Sequence, residues 1–130
     1  MADNKKRILV IDDEPDMVAF ISTVLEDAGY DTATASDGVE ALKELKAATP
    51  DLITLDITMP NKSGVKFYRE VKEDENWKSI PVVIITGVSG DFQKFISTRR
   101  QVPPPEGYIS KPLGAPELVS IVGKLIGDLS

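Results

Sequence analysis

The chain has 130 residues, 42% hydrophobic and 28% charged, with a formal net charge of -6 at pH 7. That length suits one domain with a sizeable core, and the acidic balance lacks the basic footprint of a nucleic-acid binder. Cysteine and histidine are both absent, which excludes disulfides, thiol chemistry, imidazole metal ligands and Ser-His-Asp catalysis and leaves carboxylates, hydroxyls and lysines to do any chemistry.

The N-terminus, "MADNKKRILVI", joins a basic cluster to an apolar run too short for a signal peptide. No run approaches the roughly 20 apolar residues of a membrane span. The expectation is a soluble cytoplasmic protein with no membrane partner and no direct DNA binding.

In chain order, "ILVI" (8–11) opens as a strand: short, unbroken and β-branched, as strands buried on both faces read. Residues 15–28 follow as a helix with Val18, Ile21 and Leu25 on one face, Pro15 in the first turn and Gly29 as its stop. "DTATA" (31–35) alternates and suits a strand nearer the sheet edge. Residues 38–47 make a second helix with Val39, Leu42 and Leu45 together, and "LITL" (52–55) is a second buried strand. Ser63 reads as an N-cap for a helix over 64–73 built on Val65, Tyr68 and Val71. "VVIIT" (82–86) is a third buried strand, and "DFQKFISTRR" (91–100) is a short amphipathic helix through Phe92, Phe95 and Ile96. Prolines 103–105 end that helix by about Arg100–Gln101 and impose an extended connection. "GYIS" (107–110) is a last short strand, and 115–126 a terminal helix with Leu118, Ile121, Val122 and Leu125 inward.

Strand and helix thus alternate five times, which implies a parallel sheet with helices on both faces. Ligands of such sheets sit at the carboxyl ends of the strands. Those ends carry Asp12-Asp13-Glu14, Asp56, Thr86 and Lys111. Taken singly, each is more simply a solvated loop charge or a strand residue; their joint placement on one rim is what carries meaning. Two ionised carboxylates about 4 Å apart repel by roughly 4 kcal/mol at an effective dielectric of 20, so such a cluster calls for a cation. Oxygen donors without histidine or cysteine favour Mg²⁺, which points to phosphoryl chemistry.

The stretches "VIDDEPD", "LDITMPNKSG", "VVIITG" and "YISKP" together resemble the receiver domain of two-component response regulators, from about Arg7 to Ile126. The resemblance implies a flavodoxin-like (βα)5 doubly wound sheet of strand order 2-1-3-4-5, here with an irregular, proline-rich connection before the fifth strand. It implies a single receiver domain over 1–130, of the stand-alone type, working as a signalling domain rather than an enzyme. Asp56 would be the phosphoacceptor, with Lys111 and Thr86 acting on the phosphoryl group. Asp13 and Asp56 would ligate Mg²⁺ directly, Asp12 through a water, and Thr58 through its backbone carbonyl. Thr86 and Tyr108 would form the switch, and Thr58 and Val88 occupy positions that influence dephosphorylation in the family. The implied partners are a sensor histidine kinase or histidine phosphotransfer protein and a downstream target protein. A phosphorylation-dependent homodimer is left open.

Two other readings compete at this level. A phosphatase of the haloacid-dehalogenase type would want a second aspartate two residues after its nucleophile, but position 58 is threonine. A receiver-shaped interaction module that needs no phosphorylation would not require the full acid, hydroxyl and lysine set. The region between Thr86 and Lys111, with its prolines 103–105, departs most from the receiver pattern, and Arg99 and Arg100 suit a contact with a partner.

Overall fold

The structure is a computed structural model that describes residues 6–56, 63–86, 106–110 and 113–126. Five strands, β1 (Arg7–Ile11), β2 (Asp31–Ala35), β3 (Leu52–Asp56), β4 (Val82–Thr86) and β5 (Gly107–Ser110), form one sheet. All pairs are parallel and the order is β2-β1-β3-β4-β5. Among the described residues four helices accompany them: α1 (Pro15–Asp27), α2 (Gly38–Ala47), α3 (Ser63–Glu73) and α4 (Ala115–Ile126).

The unbroken apolar runs are explained by the two cores they feed. Ile8 and Val10 of β1 join Leu52, Val83, Ile85 and Ile109 beneath α1 and α4, where Ile21, Leu25, Leu118 and Val122 are buried. Leu9 and Ile11 point the other way, with Ile53, Leu55 and Ile84, against Ala41 and Leu45 of α2 and Phe67, Tyr68 and Val71 of α3. Strands covered on both faces have no polar side to alternate with. β2, at the sheet edge, buries only Ala35 fully.

Local signals set the element ends. α1 closes on Gly29 at φ 103°, and the Gly29 and Tyr30 amides donate to the Glu26 and Leu25 carbonyls. This is a Schellman turn, which requires a left-handed residue that glycine supplies without strain. Tyr30 then folds into the core beside Leu25. At α2 the Asp37 carboxylate caps the Glu40 amide at 2.9 Å, while Glu40 reaches back to the Ser36 amide and hydroxyl, a variant of the capping box.

Most of the expected helix faces recur, with one correction. Val39 is 66% exposed, because the buried seam of α2 runs through Ala41 and Leu45, with Leu42 on its flank. At about 100° per residue Val39 lies nearly opposite Ala41. α3 includes Ser63 as its first residue, one position earlier than expected. The helix expected over 91–100 and the proline connection at 103–105 lie outside the described residues.

Candidate functional site: an acidic rim at the carboxyl ends of the strands

The register of the sheet builds the site. Ile11 of β1 is paired with Leu55 of β3, so the next residues, Asp12 and Asp56, emerge side by side at the carboxyl rim. The Asp12 amide donates to the Ala35 carbonyl at 3.1 Å, extending the β1–β2 ladder by one rung and holding Asp12 in the sheet. Both Asp12 and Asp56 are buried. Asp13 follows on the exposed turn into α1. Carboxylate oxygens of Asp12, Asp13 and Asp56 come within 4.8 Å of one another.

The turn is shaped by the cluster itself. Asp12 Oδ1 accepts the Glu14 amide at 2.9 Å, an Asx-type turn, while Glu14, the N-cap of α1, makes no cap with its own side chain. Pro15 begins the helix where its missing amide costs no hydrogen bond. The amino end of α1 therefore faces the acidic group, and its dipole partly offsets the negative charge.

A groove of about 420 Å³ leads away from the acids between α1 and the edge strand β2. Val18, Ala19 and Ser22 line one wall and Thr34, Ala35 and Glu40 the other. Asp12 and Asp13 thus open onto a partly apolar trough.

Three carboxylates this close, two of them buried, repel strongly unless a cation or protons intervene. The donor set is all oxygen, which fits a hard divalent ion of the Mg²⁺ kind rather than a thiolate- or imidazole-loving metal. Thr86 closes β4 on the same rim, paired in register with Ser110. Tyr108, paired with Ile84, lies on the sheet face shared by α2 and α3 and is 57% exposed at the edge strand. Thr58, Val88 and Lys111 lie outside the described residues, as does the side chain of Thr86.

One constellation escapes the sequence analysis above. At the opposite end of the sheet the Lys72 ammonium, its side chain 1% exposed, sits 2.9 Å from both oxygens of Glu106. It also donates to the Ile80 carbonyl at 3.2 Å and the Lys78 carbonyl at 3.5 Å, with the Tyr68 ring 5.8 Å away. A signal exists: Lys72 stands four residues after Tyr68 and one after Val71, at the margin of the apolar face of α3. Its charge, taken alone, points to solvent.

A doubly wound parallel sheet of order 2-1-3-4-5, with carboxylates gathered at its carboxyl rim, is the build of CheY-like receiver domains. The chain belongs to that family: residues 8–123 match the response regulator receiver domain. It is 34% identical over 123 residues to hybrid signal transduction histidine kinase D of Dictyostelium discoideum, covering 95% of this chain but only 8% of that protein. It is 30% identical over 125 residues to the polar-differentiation response regulator DivK of Brucella ovis, covering 95% of this chain and 98% of DivK. Among solved structures, the receiver domain of sensor histidine kinase PA1611 from Pseudomonas aeruginosa, with a magnesium ion coordinated in its active site cleft, superposes with a TM-score of 0.80 at 25% identity, over 94% of this chain and 98% of that one. Like other receivers, the chain is a signalling domain rather than a classical enzyme. Among the described residues no helix is long and apolar enough to cross a membrane.

Proposed function

We propose that this chain accepts a phosphoryl group on Asp56 in a Mg²⁺-dependent reaction and signals the change to a partner protein by a conformational switch. The observation that carries the reading is the convergence of Asp12, Asp13 and Asp56 on one point of the rim. The magnesium named for the similar PA1611 receiver supports the choice of metal.

In this reading Asp56 and Asp13 would hold the ion directly, Asp12 through a water, and Thr58 through its backbone carbonyl. When bound, the ion would supply positive charge to offset the negative charge that gathers as a phosphoryl group meets these carboxylates. An Asp56 oxygen attacks the phosphorus of a phosphohistidine, the P–N bond breaks, and the imidazole of the donor leaves. Burial of Asp56 removes competing water from the nucleophile. Lys111, on the chain leaving β5, pairs with a phosphoryl oxygen as a point charge. The Thr86 hydroxyl turns toward the same group, and the Tyr108 ring moves into the space released. The new charge of about -1.5 to -2 biases the two states.

The donor is a sensor histidine kinase or a histidine phosphotransfer protein, and the receiver of the signal a downstream protein. We read residues 1–130 as one receiver domain with its core over about 7–126, acting in the cytoplasm by protein contact. Incubation with acetyl phosphate and Mg²⁺, followed by intact-mass spectrometry, tests the reading. One added phosphoryl group is expected on the wild type and none on Asp56→Asn. A wild type that takes no group, or an adduct that persists in the variant, overturns it.

A further inference from the structure

β5 is a poorly specified strand. It has four residues, begins with glycine and buries one large apolar side chain, Ile109, while Tyr108 is mostly exposed. Strand register is normally fixed by the apolar pattern, and a slip of one residue turns every side chain to the other face. The sequence "GYIS" offers little resistance to such a slip. Yet the residue after β5 is Lys111, whose reach depends on the register.

The missing specification is supplied one residue before the strand. The Glu106 amide donates to the Val82 carbonyl at 3.1 Å, and the Glu106 carboxylate accepts the Val82 amide at 2.8 Å. Val82 is the first residue of β4. Glu106 therefore binds both polar backbone groups of that residue, one with its backbone and one with its side chain, and forms a closed rung at the start of the β4–β5 ladder. The carboxylate is in turn gripped at both oxygens by Lys72. Lys72 is itself anchored by α3 and by the Ile80 carbonyl on the chain entering β4. Burial first, and then the charge of Glu106, holds the Tyr68 phenol far above its ordinary pKa. Tyr68 is thus neutral, and among the described residues Glu106 is the one anion paired with Lys72.

We propose that Glu106, gripped by Lys72, is the register clamp of β5 and so a positioning residue for Lys111 and Tyr108. The link to Lys111 rests on the functional reading above; the clamp itself rests on the contacts just described. A one-residue slip would carry Glu106 away from Val82 and leave a nearly fully buried ammonium without its counter-charge, which is far more costly than the slip of one isoleucine.

Amide hydrogen exchange followed by NMR tests the clamp, in the full chain and in E106Q, E106L and K72M. E106Q retains an oxygen for the Val82 amide, so it keeps the fold should the other two lose it. In each variant, amides of β1 and β3 should exchange faster only by the factor that the loss of global stability, measured in urea, requires. Amides of β5 should exceed that factor by about tenfold or more in E106L and K72M, and by less in E106Q. The rate of phosphorylation by acetyl phosphate, per folded molecule, should fall by about tenfold while the half-saturating Mg²⁺ concentration stays put, because the metal carboxylates are not on β5.

Exchange of β5 that tracks β1 and β3 in every variant overturns the clamp. Loosened β5 amides with an unchanged phosphorylation rate overturn the link to Lys111. A wild type that takes no phosphoryl group is a failure of the functional reading, and the exchange data then decide the clamp alone.

Discussion

Asp56 is buried, and two other carboxylates stand close by. In the absence of metal this arrangement favours function at the expense of stability, since each pair of ionised carboxylates at this range repels by roughly 3 kcal/mol at an effective dielectric of 20, less where solvent reaches Asp13. Asp56→Asn should therefore stabilise the metal-free protein by about 1 kcal/mol in urea unfolding, with the single tryptophan, Trp77, as probe. The same substitution should weaken the response to Mg²⁺, which in the wild type adds about 2.7 kcal/mol at a hundredfold excess over its Kd. An asparagine variant less stable than the wild type without metal would show that the carboxylates are not repelling. At this scale the acids are readable in the sequence, because charged residues that close one apolar strand after another at the same end do nothing for the core. Lys72 and Glu106 are not readable. A lysine in the last turn of a helix and a glutamate after three prolines look like solvated charges, and only the fold, by bringing them together, changes that.

Among the elements, β5 and α4 meet with little room between them. A Cβ placed on Gly107 would lie 2.7 Å from Ile121 Cδ1 and 3.3 Å from its Cγ1. The nearest atom is the mobile end of a side chain, so Gly107→Ala should cost little. Gly107→Val should cost about 2 kcal/mol in urea unfolding, by overpacking α4 against the strand. A valine that is neutral or stabilising would mean that α4 moves freely over β5. The elements themselves are largely legible: the buried strands from their unbroken apolar runs, α1 and α2 from proline, glycine and capping signals. The inward face of α2 is easily misread, because Val39 is apolar and falls near enough to Leu42 to suggest a shared face. Its small inward neighbour Ala41, which lets the helix approach the sheet, gives no such signal in sequence.

Among the described residues, the sheet has a core on each face, and the acidic rim and the Lys72–Glu106 pair occupy its two ends. Strand order is not legible from the apolar pattern, which specifies that β1, β3 and β4 are covered on both faces but not which neighbours which. It comes from the resemblance carried by the rim residues and agrees with the pairing observed.

The Lys72–Glu106 pair also has a consequence in time. Its partners stand 34 residues apart in the chain, whereas β1 and β2 are joined by a single helix and a tight turn. β5 is a short edge strand with one large buried apolar side chain, so docking it early gains little against the chain entropy it costs. β5 should therefore dock after the barrier to folding has been crossed, and the pair should act as a late latch on the finished molecule. Stopped-flow measurements on Lys72→Met should show unfolding accelerated by about tenfold and folding changed by less than about twofold. Slower folding instead would place the latch in the nucleus. If unfolding alone responds, this pair governs how long a folded molecule lasts rather than how quickly one is made.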